Sequence, residues 1–196
     1  MKIGIIDYGA GNILSVKNAL IKLGRNFALS ADPAVLGTCD KLIFPGVGAA
    51  GAAMSALRVR DLQNFIVNFE KPFLGICLGL QLLADRSEEA DTKCLGILPG
   101  EVKLFKTGLK VPQIGWNRVN FMKESALFDG IVDESNFYFV NSYHLQTDDE
   151  FVLAKTLYGC FFPSIIRKNN FYATQFHPEK SGERGLKLLS NFCESC

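Results

Sequence analysis

The sequence predicts an α/β fold in which a central, mostly parallel sheet is flanked by helices and the C-terminal half contributes antiparallel strands. Two patterns carry that prediction. Up to Gly96, β-type runs alternate with runs of helical period, the order that builds a parallel sheet. Beyond Gly96 the chain turns to short β-type runs split by turns, which pair most simply as antiparallel or mixed strands. The chain has 196 residues and is 48% hydrophobic, which suits a single domain over residues 1–196 and is short for two.

Lys2 to Asp7 reads as the first strand, Tyr8 to Asn12 (YGAGN) as a loop, and Leu14 to Leu23 as a helix stopped by Gly24. Phe27 to Ser30 and Lys41 to Phe44 follow as strands, the second running into PGVGAAG. Met54 to Phe69 has the length and period of one long helix leading back to a strand at Phe73 to Cys77. Leu78, Leu82 and Leu83, interspersed with Gln81, Asp85 and Arg86, predict an amphipathic helix directly after it. The later β-type runs are Val102 to Phe105, Asn117 to Phe121, Phe137 to Val140, Phe151 to Ala154, Ser164 to Arg167 and Tyr172 to Phe176. Glu183 to Phe192 closes the chain as a helix. The aromatics of Phe137 to Phe139 and Cys160 to Phe162 read as sheet core, because a base-stacking platform would have basic neighbours.

Charge excludes several partners. The 21 basic and 20 acidic residues leave a net charge of +1 without long blocks, so neither a nucleic-acid stripe nor a membrane-binding face is expected. MKIGIID is too short an apolar start for a signal peptide, and no run approaches ~18 apolar residues, so a soluble, cytoplasmic protein is expected. Six cysteines (Cys39, Cys77, Cys94, Cys160, Cys193 and Cys196) form no paired framework and are expected reduced. Cys193 and Cys196 make a CxxC at the end of the last helix, where the dipole raises thiol pKa values. With no second pair to complete a zinc set, a frayed helix tail is expected and no metal.

The chemistry points to Cys77. In KPFLGICLGLQLLADR the thiol stands between Gly75 and Gly79 where strand gives way to helix, copying the GxSxG elbow with sulfur for oxygen. A helix N-terminus favours thiolate, and the amide after the cysteine can face an oxyanion. The alternative is a buried cysteine that packs as a small hydrophobe. A nucleophile needs a base, and the chain has two histidines. His177 lies in QFHPEKSG, where Glu179 at i+2 would share its side of an extended stretch and Pro178 stiffens the pair. A thiol, an imidazole and a carboxylate that sets its tautomer complete a triad. His144, in NSYHLQ, has no acid at that spacing and reads as a surface or packing residue. Gly46 to Gly51 (GVGAAG) fits a dinucleotide pattern, but it follows the third strand, Pro45 stiffens it, and Asp61 and Glu70 are expected inside a helix. A second oxyanion donor suits it better.

These motifs resemble the class I, triad-type glutamine amidotransferases, with GICLGLQLL as the nucleophile motif and FHPE as base and acid. IDYGAGNILSV, PGVG, GWN, FYFVNSY and QFHPEKSG are similar, within that family, to the glutaminase subunits of imidazole glycerol phosphate synthase in histidine biosynthesis. The resemblance spans nearly the whole chain. It implies a class I amidotransferase fold, no cofactor, L-glutamine as substrate, and ammonia passed through a tunnel to a separate (β/α)8 cyclase subunit. By motif it implies Cys77 as nucleophile, His177 as general base and acid, and Glu179 as the orienting carboxylate. Gly48 and Leu78 would offer oxyanion amides; Gln81, Glu89, Ser142 and Tyr143 would bind glutamine; Asn12, Trp116 and Lys180 would meet the cyclase. Two positions depart from the pattern: Asn141 stands where histidine is common, and Ala50 where an aromatic often follows PGVG.

Three rivals compete. An α/β-hydrolase-like esterase or peptidase shares the elbow, but that fold places its acid before the histidine and here Glu179 follows His177. A non-catalytic regulatory module would not need the intact set of Cys77, His177 and Glu179. A glutaminase serving another synthase, in pyridoxal phosphate formation or sugar amidination, differs only in its partner.

Overall fold

The computed structural model describes residues 1–9 and 12–196; Ala10 and Gly11, inside the expected Tyr8 to Asn12 loop, lie outside the described residues. In the first half, β1 (Ile3–Ile6), α1 (Ile13–Lys22), β2 (Phe27–Ser30), α2 (Pro33–Gly37) and β3 (Lys41–Gly46) lead to α3 (Ala50–Val59) and α4 (Leu62–Val67). Then come β4 (Phe73–Cys77), α5 (Leu78–Gln81) and the short strands β5 (Arg86–Ser87) and β6 (Thr92–Lys93). The second half holds β7 (Glu101–Leu104), β8 (Gln113–Arg118), β9 (Asn120–Phe121), β10 (Asn136–Asn141) and β11 (Tyr143–Gln146). It ends with β12 (Val152–Leu157), β13 (Phe161–Lys168), β14 (Phe171–Thr174), a 3-10 turn (Pro178–Lys180) and α6 (Gly182–Ser195).

One eight-stranded sheet runs β2-β1-β3-β4-β14-β13-β12-β9. Its first five strands are parallel and the last three antiparallel. Strand alternation sorts the core onto two faces. Ile3, Ile5, Ile43, Leu74 and Ile76 pack with Val16 and Leu20 of α1 and Leu188 and Phe192 of α6. Ile6, Leu42, Phe44 and Phe73 pack with Met54, Leu57, Leu62 and Ile66 of α3 and α4. Burial on both faces explains why these strands read as unbroken apolar runs. Two smaller sheets, β10-β8 and β11-β7-β5-β6, lie beside the main one. Among the described residues no helix is long and apolar enough to cross a membrane.

Five expectations need correction. The long helix at Met54 to Phe69 is two: α3 begins earlier, at Ala50, and Asp61 takes φ +54° between α3 and α4. Aspartate tolerates that left-handed conformation better than most residues, and the break turns Leu62 and Ile66 back onto the sheet. Asp61 and Glu70 thus lie outside any helix, and neither stands at the carboxyl end of a strand, so the dinucleotide reading gains nothing. The helix after Cys77 is a single turn, because Leu80, Leu82, Leu83 and Ala84 are all fully buried and leave no solvent face. The chain instead meets the 95–98 segment, whose amides bond to Leu82, Leu83 and Ala84 carbonyls. The Asn117 to Phe121 run divides between β8, paired with β10, and β9, paired with β12. Phe161 is 64% exposed rather than core, since alternation along β13 sends only Phe162 inward. Finally, the C-terminal tail is docked: Cys193 is fully buried, and the Lys41 ammonium donates to the carbonyls of Phe192 and Cys196. Burial is the largest cause that pushes the Cys193 thiol up to about 11. All six cysteines are free.

Candidate active site

Three neighbouring parallel strands, β3, β4 and β14, deliver loops to one edge of the sheet, the carboxyl edge where ligands of open α/β sheets bind. Cys77 ends β4 with φ +56° and ψ −107°, a conformation that a non-glycine residue rarely holds. Gly79 makes the turn fit: a Cβ there would stand 2.1 Å from the Phe44 carbonyl oxygen of β3. Close packing of α5 on β3 therefore forces the thiol out at the tip. Beyond β3 the chain continues through Gly48, whose φ of +97° is open to glycine at little cost.

His177 follows β14 and is 3% exposed. Its amide donates to the Tyr138 carbonyl at 2.9 Å, and the Ser181 hydroxyl donates to its carbonyl at 2.6 Å. Its Nδ1 lies 2.8 Å from Glu179 Oε1. The pair meets by a different route from the one expected: Pro178 starts a 3-10 turn, and that turn, not an extended strand, swings Glu179 back onto the ring. The Glu179 side chain is 1% exposed. Burial by itself would depress the His177 pKa. The hydrogen bonds and negative charge of Cys77 and Glu179 outweigh burial and push it up to about 10.

Cys77 and His177 share a cleft of about 310 Å³. Gly48 of the β3 loop and Leu78 of the elbow line it, together with Gln81, Glu89, Ser142 and Tyr143. Lys180 is exposed at its rim. Glu89 also accepts the Ala50 amide at 2.7 Å, so it ties the cleft wall to the start of α3. Gln81 is nearly buried, and its amide nitrogen donates to the Tyr143 carbonyl. That carbonyl also takes a bond from Asn141 Nδ2 at 3.0 Å, which gives the unusual asparagine a local role. Asn12 and Trp116 stand outside the cleft. Asn12 accepts from the Ser15 hydroxyl at the start of α1, and Trp116, 58% exposed on β8, packs edge-on against Tyr138.

Two contributors were missed by sequence reasoning. Tyr8 places its buried hydroxyl under the Gly46 backbone, and its pKa is raised first by burial and then by the charge of Cys77. Gln175 is fully buried and its Nε2 lies 3.7 Å from Cys77 Sγ. Its place two residues before His177, just past the end of β14, was the available signal.

A family model described as glutamine amidotransferase class-I matches residues 4–196. The chain is 48% identical over 194 residues to a Methanocaldococcus jannaschii protein named imidazole glycerol phosphate synthase subunit HisH, covering 98% of each. It is also 48% identical over 195 residues to a Haemophilus influenzae protein of the same name, covering 99% of this chain and 98% of that one. Among solved structures it is similar to a glutamine amidotransferase (TM-score 0.77, 20% identity, 98% and 97% covered) and to PurLQS from Thermotoga maritima (TM-score 0.75, 14% identity, 98% and 97% covered). At those identities the structures speak to the fold alone.

Proposed function

The chain belongs to the class I glutamine amidotransferases and, within them, to the glutaminase subunits of imidazole glycerol phosphate synthase; from that premise we propose how its residues work. The Cys77 thiolate attacks the side-chain carbonyl carbon of L-glutamine, and the resulting oxyanion is held by the amides of Gly48 and Leu78. The imidazolium of His177 gives its proton to the leaving nitrogen, ammonia departs, and a thioester remains. Neutral His177 then takes a proton from water as it attacks, glutamate leaves, and thiolate and imidazolium are restored. Glu179 fixes the tautomer and stabilises the cation, as the raised His177 pKa supports. Gln81, Glu89, Ser142 and Tyr143 hold the substrate.

The single observation that carries this reading is the strained thiol of Cys77 sharing a cleft with an imidazole held 2.8 Å from a buried carboxylate. The ammonia is handed to a separate (β/α)8 cyclase subunit. What supports docking beside the cleft is an apolar rim: Ile114 and Trp116, two residues apart on β8, are 61% and 58% exposed, and Pro112 just before them lines the cleft. We also assign Asn12 and Lys180 to that junction, Lys180 because it lines the cleft. The chain acts as one domain over 1–196, a reading that its eight-stranded sheet drawn from both halves supports, and it works in the cytoplasm.

The test uses the assembled complex. Cys77→Ala is expected to abolish product formation from glutamine while ammonium salts still support it, since amide cleavage and ammonia use sit on different chains. Retained glutamine-dependent synthesis would remove Cys77 from the mechanism.

A further inference from the structure

A thiolate accepts hydrogen bonds and donates none, so its stability in a dry site depends on which donors surround it. In the proposed mechanism His177 supplies one. Around the sulfur the structure also sets the Val140 carbonyl at 3.8 Å, which can only accept and so favours the protonated thiol, and the amide of Gln175 at 3.7 Å. Which end of that amide faces the sulfur decides whether it helps or opposes ionisation.

The network fixes the answer. The Tyr143 carbonyl is an acceptor, so the Gln81 atom 3.0 Å from it must be the amide nitrogen. The same nitrogen lies 3.0 Å from the Gln175 amide, which must therefore present its oxygen there. The Gln175 NH2 is left facing Cys77 Sγ. Reversing Gln175 would set two NH2 groups against each other and an oxygen against the sulfur. Gln175 is fully buried, so water cannot repair that mismatch. Its backbone N–H donates to the Ser164 carbonyl at 2.9 Å, which fixes the main chain there.

We propose that Gln175 is a second hydrogen-bond donor to the Cys77 thiolate, oriented by a relay that runs from the Tyr143 carbonyl through Gln81. The proposal rests on the reading of Cys77 as the glutaminase nucleophile. It also gives Gln81 a task besides substrate binding, because its amide holds the donor in the productive sense. The other titratable groups near the sulfur are His177 after β14, Tyr8 beneath the elbow, and Glu89 and Lys180 along the cleft. None of them can set the sense of the Gln175 amide.

The experiment measures iodoacetamide alkylation of Cys77 in the full chain from pH 5 to 9, followed on the Cys77 peptide by mass spectrometry. Glutamine hydrolysis by the assembled complex is measured in parallel. Gln175→Leu removes the donor and is expected to raise the alkylation midpoint by about one pH unit, a tenfold slower reaction on the acid side, and to lower kcat about tenfold with KM nearly unchanged. Gln175→Glu keeps the shape but sets an acceptor against sulfur, and a larger shift is expected. Gln81→Leu leaves Gln175 in place but unoriented, and a smaller shift of the same sign is expected. A change in folding alone would not move the midpoint in this graded order. Unshifted midpoints in whichever of these variants fold, with Cys77→Ala inactive on glutamine, would overturn the Gln175 proposal alone. An active Cys77→Ala would overturn the glutaminase reading itself.

Discussion

His177 and His144, the two histidines of the chain, are 3% and 6% exposed, yet they sit in regions that treat a proton in opposite ways. At the carboxyl edge, His177 is bonded to Glu179 and faces Cys77, and its pKa is pushed up to about 10 against the pull of burial. On β11, in the side sheet, His144 stacks on Phe105 with ring centres 4.6 Å apart and leans on Phe162. Burial lowers its pKa, and a 3.3 Å contact with the Leu145 carbonyl offsets that only in part. Equal burial thus fixes neither charge. The surroundings set the direction: Cys77 and Glu179 raise the pKa of one ring, and burial among aromatic walls lowers that of the other.

The largest expected effect separates the rings by activity. His177→Ala should lower kcat/KM for glutamine by about 10²–10⁴-fold, the usual range for a general acid and base, whereas His144→Leu should stay within a few-fold of wild type. Steady-state kinetics of the complex decides it, and comparable losses at both sites would erase the contrast. Next comes the partner itself. Glu179→Gln keeps the imidazole but removes a charge, so kcat should fall by roughly 10²-fold or more. The His177 midpoint followed by NMR should fall with it; a fixed midpoint would mean that Glu179 does not hold the proton.

A smaller effect concerns stability against pH, where the two rings should act with opposite sign. The His177 pKa is raised above the unfolded value, so its contribution is complete below about 6.5 and is lost as pH rises through about 10. The His144 pKa is lowered, so its contribution is complete above about 6.5 and is lost as pH falls through its folded value. Melting curves of wild type, His177→Gln and His144→Leu over pH 4.5–10 should show the first pair converging at the alkaline end. The second variant should lose less than wild type at the acid end. Parallel curves would contradict both assignments.

The smallest effect lies at the rim, where solvent screens what burial concentrates. If Lys180 pairs with an acidic group of the proposed cyclase partner, that exposed pair is worth only about 0.2–1 kcal/mol, so Lys180→Ala should weaken assembly a few-fold at most. Its signature should be coupling: more glutamate released per product formed at saturating substrates, as ammonia escapes at a loosened junction. A ratio that stays near one would make Lys180 an ordinary surface charge.

Much of this contrast was legible beforehand. Glu179 two residues after His177 marked one histidine as partnered, and its absence after His144 marked the other as a packing residue. The elbow was legible because Gly75, Cys77 and Gly79 act within a few residues of one another. Less legible were the elements whose form depends on distant packing. Asp61 breaks a helix that the local pattern continues, and the helix after Cys77 stops at one turn where the 95–98 segment bonds to the carbonyls of Leu82, Leu83 and Ala84 that follow it. The tail with Cys193 looked free, since nothing nearby in sequence announces Lys41.

By itself, then, the sequence determined what short-range geometry can determine: strand alternation, the tight turn at Cys77, and the coupling of His177 to Glu179 through Pro178. Only the tertiary structure decided that β4 and β14 are neighbours, which brings Gln175 to Cys77 across 98 residues of chain and to Gln81 across 94. The sense of the Gln175 amide and the opposite pKa shifts of two buried histidines belong to that second class. Their physical reason is the same, because a hydrogen bond and a pKa report which atoms lie within a few ångströms, and strand order in a closed core sets those neighbours independently of their distance along the chain.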